Sequence, residues 1–405
     1  MSAVAEARDP VAAAARHAFV RLCVVGLFAY CSYAICRIPL LPLLARELGA
    51  DPPTVGLIVG ASTLTGVVVK LPAGAWSDVF GRRPLLVLGA AVFAVVPFVY
   101  VGVTSLAALM ALRFVHGSAT AIFGPVASAS LSDVAPADRR ATWLSTYSTV
   151  QGTGIALGPV IAGYFIASGR YDSAFLLAGV LSVATPLIIA RWPPADRLPT
   201  SRVVRFRRGI ADVCRQPLIL LTSLAQAAQY VLHGTLSAFL PLFAHDVVRL
   251  SISQIGWLFA MQIATTLAAR PLMGMVSDRV GRRGLITAGL VVCGAGVLLV
   301  SLASTVVSLI VPIVMYAVGV AVTTSATSAY ITDLSRRSQY GAAHGVFGTI
   351  YDVGDALGPI AAGILVAAVG YAAMFRIMAA FVLLVAAVFV LCSAAGQSSS
   401  NAERN

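Results

Sequence analysis

Charged residues are scarce for a chain of this length. Of 405 residues, 11% are charged and 59% are hydrophobic, whereas about 25% of residues are charged in a typical soluble domain. The apolar residues form long continuous runs, which are typical of helices of roughly 20 residues that cross a membrane. Strands of a membrane barrel would be about 10 residues long and would alternate in polarity. The sequence therefore predicts an all-α integral membrane protein.

Lysine and glutamate are almost absent. The single lysine, Lys70, follows Val68-Val69 and lacks the glycine-rich loop that cradles a nucleotide phosphate. The three glutamates lie outside the apolar runs, the six cysteines form no C-x-x-C, and neither G-x-S-x-G nor H-E-x-x-H occurs. These absences argue against an ATP-driven pump, a hydrolase and a metal centre. We predict a protein that is not an enzyme and uses no cofactor or metal.

The basic residues are distributed asymmetrically. The formal net charge is +12, and 20 of the 28 basic residues fall in cytoplasmic segments when the N-terminus is placed in the cytoplasm. Only Arg46, Arg170 and Arg249 fall in outer loops. This asymmetry is the positive-inside pattern, and it predicts orientation rather than a nucleic-acid partner. We expect a multi-pass protein of the bacterial inner membrane with both termini in the cytoplasm.

Twelve apolar runs can be counted along the chain. They lie near residues 18–44, 54–76, 84–103, 106–132, 142–167, 173–191, 217–243, 253–276, 285–303, 306–332, 342–367 and 372–394. We divide the chain into an N-terminal cytoplasmic segment (1–17), a first six-helix bundle (18–191), a cytoplasmic linker rich in arginine and proline (192–216), a second six-helix bundle (217–394) and a cytoplasmic tail (395–405).

The second half repeats the first at an offset of 200 residues. The segment GAWSDVFGRR at 74–83 returns as GMVSDRVGRR at 274–283, and Asp133 returns as Asp333. Gly154, Gly158 and Pro159 recur as Gly354, Gly358 and Pro359. A repeat of this kind indicates two bundles that move against each other around a shared site.

The two repeated turns resemble the signature loop of the major facilitator superfamily of transporters. Within that family, LRFVHG at 112–117 resembles the basic motif of span four, and GIALGPVIAG at 154–163 resembles a span-five motif of the drug/proton antiporter branch. Ala162 replaces the usual second glycine, and the recurrence of this motif in span eleven is less usual. The resemblance implies 12 transmembrane helices in two pseudo-symmetric six-helix bundles. It also implies a monomer that binds a small-molecule substrate within the lipid bilayer.

We predict a cytoplasmic gate at the repeated turns. Asp78 and Asp278 can accept hydrogen bonds from a neighbouring helix N-terminus. We expect the adjacent arginines to pair across the bundles, Arg82 and Arg83 with Asp333, and Arg282 and Arg283 with Asp133. Each exposed pair contributes only about 0–1 kcal/mol, which suits a contact that must open. The alternative is that these arginines only mark the cytoplasmic side.

The repeated glycines and prolines have two interpretations. Glycine spaced by four residues allows close helix packing in lipid, and proline bends a helix. These residues can therefore serve either as packing positions or as hinges. The set comprises Gly154, Gly158, Pro159, Gly354, Gly358 and Pro359.

Ionisable residues inside the apolar runs are costly and therefore candidates for function. Asp352 and Asp355 share one helix face near the middle of the bilayer, where burial would favour protonation. We predict that they couple transport to protons, together with His116; the alternative is a structural salt bridge to an arginine within the membrane. The predicted substrate cavity contains Arg37, Lys70, Arg113, His233, Arg270 and Tyr351.

These features favour a secondary transporter that exports a small organic molecule by alternating access in exchange for protons. The basic excess within the spans suggests a second possibility, uptake or transport of an anionic nutrient or metal chelate. A transporter-like sensor or assembly protein is a third. A channel would have no need of two gate turns.

Overall fold

The computed structural model describes residues 10–136, 139–192, 212–335 and 340–402, without the side chains of residues 10–12, 71, 75, 78, 79, 141, 278, 340, 341 and 394–402. All regular elements within these ranges are helices. Their bounds are α1 Pro10–Ile35, α2 Leu40–Glu47, α3 Pro52–Phe80, α4 Arg82–Tyr100, α5 Leu106–Val134, α6 Arg140–Ala167, α7 Tyr171–Val183, α8 Thr185–Ile189, α9 Pro217–Asp246, α10 Ile252–Val280, α11 Arg282–Val300, α12 Val306–Leu334 and α13 Tyr340–Ala402.

Twelve membrane-spanning helices form two six-helix bundles, as the sequence predicts. Ten helical segments in the described residues are long and apolar enough to cross a membrane. One of them covers residues 342–393 and supplies two spans, because Gly370 has a φ of 79° and interrupts the helical path. The 30-residue helix α9 is a further span, and it carries the polar residues Gln226, Gln229 and His233. The first bundle contains α1–α8 and the second contains α9–α13.

Two of the predicted runs are interrupted by proline. The run 18–44 is divided at residues 36–39 into α1 and α2, and the run 173–191 is divided at Ala184 into α7 and α8. Pro39 is the last residue of the first break, and Pro186 lies two residues after Ala184. Proline has no backbone N–H, and it disfavours helical geometry in the residue before it. At the other end of the chain, the backbone of α13 stays helical through Ala402, beyond the predicted end of the last span.

The repeated glycines are positions of close helix packing. A Cβ atom on Gly154 would lie 2.5 Å from the carbonyl oxygen of Leu27, and one on Gly354 would lie 2.2 Å from that of Ala227. Gly158 and Gly358 approach α1 and α9 in the same way. These contacts support the packing interpretation, because each glycine lets two helices of one bundle touch through their backbones. Hinge motion at these residues stays a prediction.

The two bundles meet closely at one end of the molecule. We call this the outer end, which carries the connections 48–51, 101–105, 168–170, 247–251 and 301–305, and the opposite end the inner end. There, a Cβ on Gly56 would lie 2.2 Å from the carbonyl oxygen of Pro359, and one on Gly256 would lie 2.4 Å from that of Pro159. These matched contacts follow the pseudo-two-fold symmetry. Near the inner end, Cβ atoms on the repeated Gly74 and Gly274 would lie within 4 Å of no described atom beyond the backbone of their own helix.

We predict that Gly56→Ala lowers the melting temperature of the purified protein. The added methyl would collide with backbone of the other bundle, and overpacking of this kind costs about 1–3 kcal/mol. Gly74→Ala is the matched control, because its methyl enters open space. Thermal unfolding in detergent measures both variants. Equal melting temperatures would contradict close backbone contact between the bundles at the outer end, which we call the outer seam.

Candidate functional site

A cavity of about 230 Å³ lies between the two bundles. It is formed by α1, α3, α5 and α6 of the first bundle and by α9, α10 and α13 of the second. Its aromatic lining comes from Tyr30, Tyr33 and Phe259. Its polar lining consists of Arg37, Ser62, Thr63, Lys70, Thr120, His233, Ser237, Gln262, Asp352 and Asp355.

Asp355 is the most highly connected acid in this cavity. It lies midway between residues 340 and 370 of α13, and its side chain is only 8% exposed. Its Oδ2 accepts hydrogen bonds from Arg37 at 3.3 Å and from Thr63 at 3.1 Å, both in the first bundle. Its Oδ1 lies 2.7 Å from Nδ1 of His233 in its own bundle. One carboxylate therefore joins the two halves of the protein.

Asp352 makes a second link between the bundles. It lies about one helical turn closer to the inner end than Asp355, and it forms an ion pair with Lys70 of α3. The Lys70 ammonium also lies 5.9 Å from the ring centre of Tyr351. That ring stacks on Tyr230 with the two centres 4.5 Å apart. The Tyr351 ring therefore packs beside the ion pair, and it does not line the cavity, where we had placed it.

The permanent charges of the cavity cancel. The cations Arg37 and Lys70 come from the first bundle, and both acids come from α13 of the second. Arg270, which we placed in the cavity, is exposed and does not belong to the lining. The basic excess predicted from the sequence is therefore not found in the cavity wall.

Arg113 and His116 lie inside the first bundle, whereas we predicted that Arg113 lines the cavity and that His116 takes part in proton coupling. Both are fully buried. Arg113 donates to the hydroxyls of Ser62 and Tyr100, and its guanidinium faces the ring of Tyr33 at 5.7 Å. Nδ1 of His116 lies 3.3 Å from the Tyr100 hydroxyl. The ring of Tyr33 contacts His116 with the two centres 4.8 Å apart, and it is Tyr33 and Ser62, not this buried pair, that line the cavity.

The described ion pairs of Arg82 and Arg282 lie within their own bundles, whereas we predicted pairs across the bundles. Nε of Arg82 donates to Asp133 at 3.1 Å, and Nε of Arg282 donates to Asp333 at 3.0 Å. The helix that follows each turn starts at this arginine, so the side chain lies beside the end of the adjacent helix of the same bundle. These bonds anchor each turn to its own bundle.

The other gate residues differ between the two halves. Arg283 donates to the hydroxyl of Tyr330 and to the carbonyl oxygen of Ser393, both at 2.7 Å, whereas Arg83 is exposed. The side chains of Asp78 and Asp278 lie outside the described part of the structure. Their role as gate residues stays a prediction.

Comparison with known families agrees with this architecture. The family described as Major Facilitator Superfamily matches residues 22–251 and 222–405. The chain belongs to this superfamily. It is therefore a multi-pass membrane transporter of small molecules and not an enzyme.

Similar proteins include characterised and uncharacterised members of the superfamily. An uncharacterised MFS-type transporter of Methanocaldococcus jannaschii, MJ1560, is 23% identical over 360 residues, which cover 87% of this chain and 92% of that protein. The quinolone resistance protein NorA of Staphylococcus aureus is 27% identical over 146 residues, which cover 36% of this chain and 37% of NorA.

Solved structures of the superfamily share the fold. A bacterial homologue of the human lysosomal transporter Spinster, in an inward-facing and occupied conformation, superposes with a TM-score of 0.79 at 15% identity and covers 93% of this chain and 96% of that one. The nucleoside transporter NupG superposes with a TM-score of 0.76 at 14% identity, over 92% and 99% of the two chains.

The sequence reasoning missed several lining residues that carry no charge. Ser62, Thr63 and Gln262 carry no charge, and a charge within an apolar run was the signal that identified the acids and bases. Tyr30 and Tyr33 cannot be distinguished by residue type from ordinary core residues. The repeat offset of 200 residues would have led from the predicted His233 to Tyr33. Ser62 and Gln262 are equivalent to each other in the repeat, and both line the cavity.

We predict that the double variant Arg282→Asp/Asp333→Arg is more stable than Arg282→Asp alone, because the exchanged charges can pair again within the second bundle. Arg282→Asp/Asp133→Arg places the exchanged charges in different bundles and should give no recovery. Melting temperatures in detergent compare the three variants. Recovery in the second pair instead of the first would contradict pairing within the bundle in this conformation.

Proposed function

We propose that this transporter exports a small organic molecule in exchange for protons, and that Asp355 and Asp352 carry the coupling. The observation that supports this proposal most strongly is the position of Asp355. Its carboxylate lies between Arg37 and Thr63 of one bundle and His233 of the other.

Protonation and the contact between the bundles compete for Asp355. An ionised carboxylate in a largely buried site is stabilised by the cation opposite it, and removal of either charge leaves the other uncompensated. A proton on Asp355 would neutralise the acid and weaken its attraction to Arg37, so the bundles can separate at this level. Loss of the proton would restore the ion pair. Coupling of this kind links the protonation state to the conformation.

The ion pair between Asp352 and Lys70 is a second contact across the bundles that protonation of the acid would weaken, and it lies closer to the inner end. Both acids belong to α13 and both cations to the first bundle, so relative motion of the bundles separates the two pairs together. Moving one charge across a potential of 100 mV is worth about 2.3 kcal/mol, which is sufficient to bias a transport cycle.

The lining favours an organic cargo of mixed polarity. The aromatic rings of Tyr30, Tyr33 and Phe259 offer flat apolar surface beside hydroxyl and amide groups. The likeness to NorA, whose name records quinolone resistance, is consistent with export of such a molecule. The alternative of an anionic nutrient or metal chelate has less support, because Arg113 and Arg270 do not line the cavity and the remaining charges cancel.

The proposal includes the cellular setting. The arginine distribution supports a bacterial inner membrane with the inner end and both termini in the cytoplasm. A complete cavity within one chain supports a monomer as the functional unit. His116 is a less suitable proton carrier than the two acids, since it is fully buried in the first bundle and is not part of the cavity lining.

We predict that Asp352→Asn/Asp355→Asn abolishes substrate flux driven by an imposed pH gradient in proteoliposomes. Each single variant should reduce the flux, and Asp355→Asn should reduce it more, because Asp355 has more partners across the cavity. The assay would use fluorescent organic substrates and measure their exchange against protons. Asp172→Asn is the matched control, an exposed acid at the start of α7. Undiminished proton-driven flux in the double variant would refute the coupling role.

A further inference from the structure

At the outer end, one ion pair joins two residues that are equivalent in the repeat. Arg46 of α2 and Asp246, the last residue of α9, are separated by 200 residues, the offset of the repeat, and they form an ion pair. Two equivalent positions can touch each other only close to the pseudo-two-fold axis. The axis therefore emerges at this pair, and the two halves carry opposite charges there.

His245 competes with Arg46 for the same oxygen. Nδ1 of His245 lies 2.9 Å from Oδ1 of Asp246, the atom that also accepts from Arg46. The same Nδ1 lies 3.3 Å from Nη2 of Arg46. A neutral ring with an unprotonated Nδ1 can accept from Arg46, whereas a protonated ring can only donate to Asp246. The proton on this nitrogen thus decides which of the two partners it binds.

The other titratable groups at the outer end have their own partners or are exposed. Tyr371 of α13 donates to Oδ2 of Asp246 at 3.5 Å, and Tyr171 of α7 donates to Glu47 at 2.5 Å. Arg249 is exposed on the connection after α9. Asp51 accepts from the backbone of Thr54 at the start of α3. Among these groups, Tyr371 is the one with a described bond to Asp246.

The acid of the pair keeps its charge over the pH range of interest. Burial alone would raise the pKa of Asp246, but the hydrogen bonds from Arg46 and His245 outweigh it and hold that pKa below its usual value. Histidine is the side chain whose charge normally changes between about pH 5 and 8. His245 is the histidine of this bridge.

We propose that Arg46, His245 and Asp246 form an outer latch that holds the bundles together at the outer end, and that protonation of His245 weakens it. A protonated ring binds Asp246 from within the same helix and places a second positive charge beside Arg46. The attraction between the bundles falls, and acid on the outer side favours outward opening. This inference does not depend on proton coupling at Asp355, because alternating access alone requires the outer end to open.

The latch can be tested with a reporter cysteine at Leu43, which is 2% exposed and lies one turn from Arg46 on α2. The full chain would carry Leu43→Cys with Cys214→Ser and Cys392→Ser, since these two native cysteines are exposed. In nanodiscs, the rate of maleimide labelling reports how often the outer end opens. The intrinsic pH dependence of the reagent cancels when variants are compared at the same pH.

With His245 present, labelling at about pH 5.5 should exceed that of His245→Gln about fivefold, and the two rates should be similar at about pH 7.5. Arg46→Gln should label rapidly at both pH values. Arg170→Gln removes an exposed arginine on another outer connection, and it should behave like the parent protein.

The charge exchange Arg46→Asp/Asp246→Arg gives the sharpest test. It restores the pair with the opposite polarity, so labelling should return to a low rate at about pH 7.5 and the dependence on pH should reverse. Protonated His245 would then attract the acid on α2 across the seam. The proposal is overturned if His245→Gln keeps the parent's pH dependence, or if Arg46→Gln labels no faster than the parent. Undiminished proton-driven flux in Asp352→Asn/Asp355→Asn would refute proton coupling and would leave both labelling outcomes unchanged, so the two proposals fail separately.

Discussion

The arrangement of the cavity depends on the cost of placing carboxylates in the middle of a membrane protein. Asp352 and Asp355 are more than nine-tenths buried, and a charge at this depth is tolerated only with a partner. The partners come mainly from the opposite bundle. The need to compensate two buried charges on α13 therefore holds α3 and the turn after α1 against α13, and the strength of this attraction depends on whether the acids are ionised.

The two halves share one architecture but differ in where they carry charged residues, and this difference gives them different roles. Asp352 and Asp355 correspond to Gly152 and Ile155 in the first half, which carry no charge. Arg46 and Asp246 correspond to each other and differ in sign. Backbone contacts, by contrast, are the same in both halves, as the matched approaches at Gly56 and Gly256 show. The duplicated sequence therefore accounts for the shared backbone contacts, and differences at single positions account for the opposite charges of the two bundles.

The fold could be predicted from the sequence because its signals are long and repeated. Apolar runs, arginine asymmetry and a 200-residue repeat each involve many residues, so errors at single positions do not change the result. The breaks before Pro39 and Pro186 were missed, although proline at these positions offered a signal.

Side-chain direction was harder to predict than the fold. Residue type identified Asp355, Lys70, Arg37 and His233 as cavity residues, but it placed Arg113 there too. Hydroxyl groups such as that of Tyr100 lie inside the first bundle, so a polar side chain can face either the cavity or the bundle interior. The helical period of a single segment does not distinguish these two directions. The pairing of Arg82 and Arg282 was mistaken for a similar reason, because equivalent acids exist in both bundles and distance alone decides between them.

The outer seam has a consequence for how fast the transporter can cycle. At Gly56 and Gly256 the bundles touch through main chain, where glycine presents no side chain. These two contacts have no rotamers to reorder when the bundles separate or close again. We therefore expect the main-chain contacts to reform in the same register with little entropic cost, while the charged side chains between the bundles determine which state is favoured.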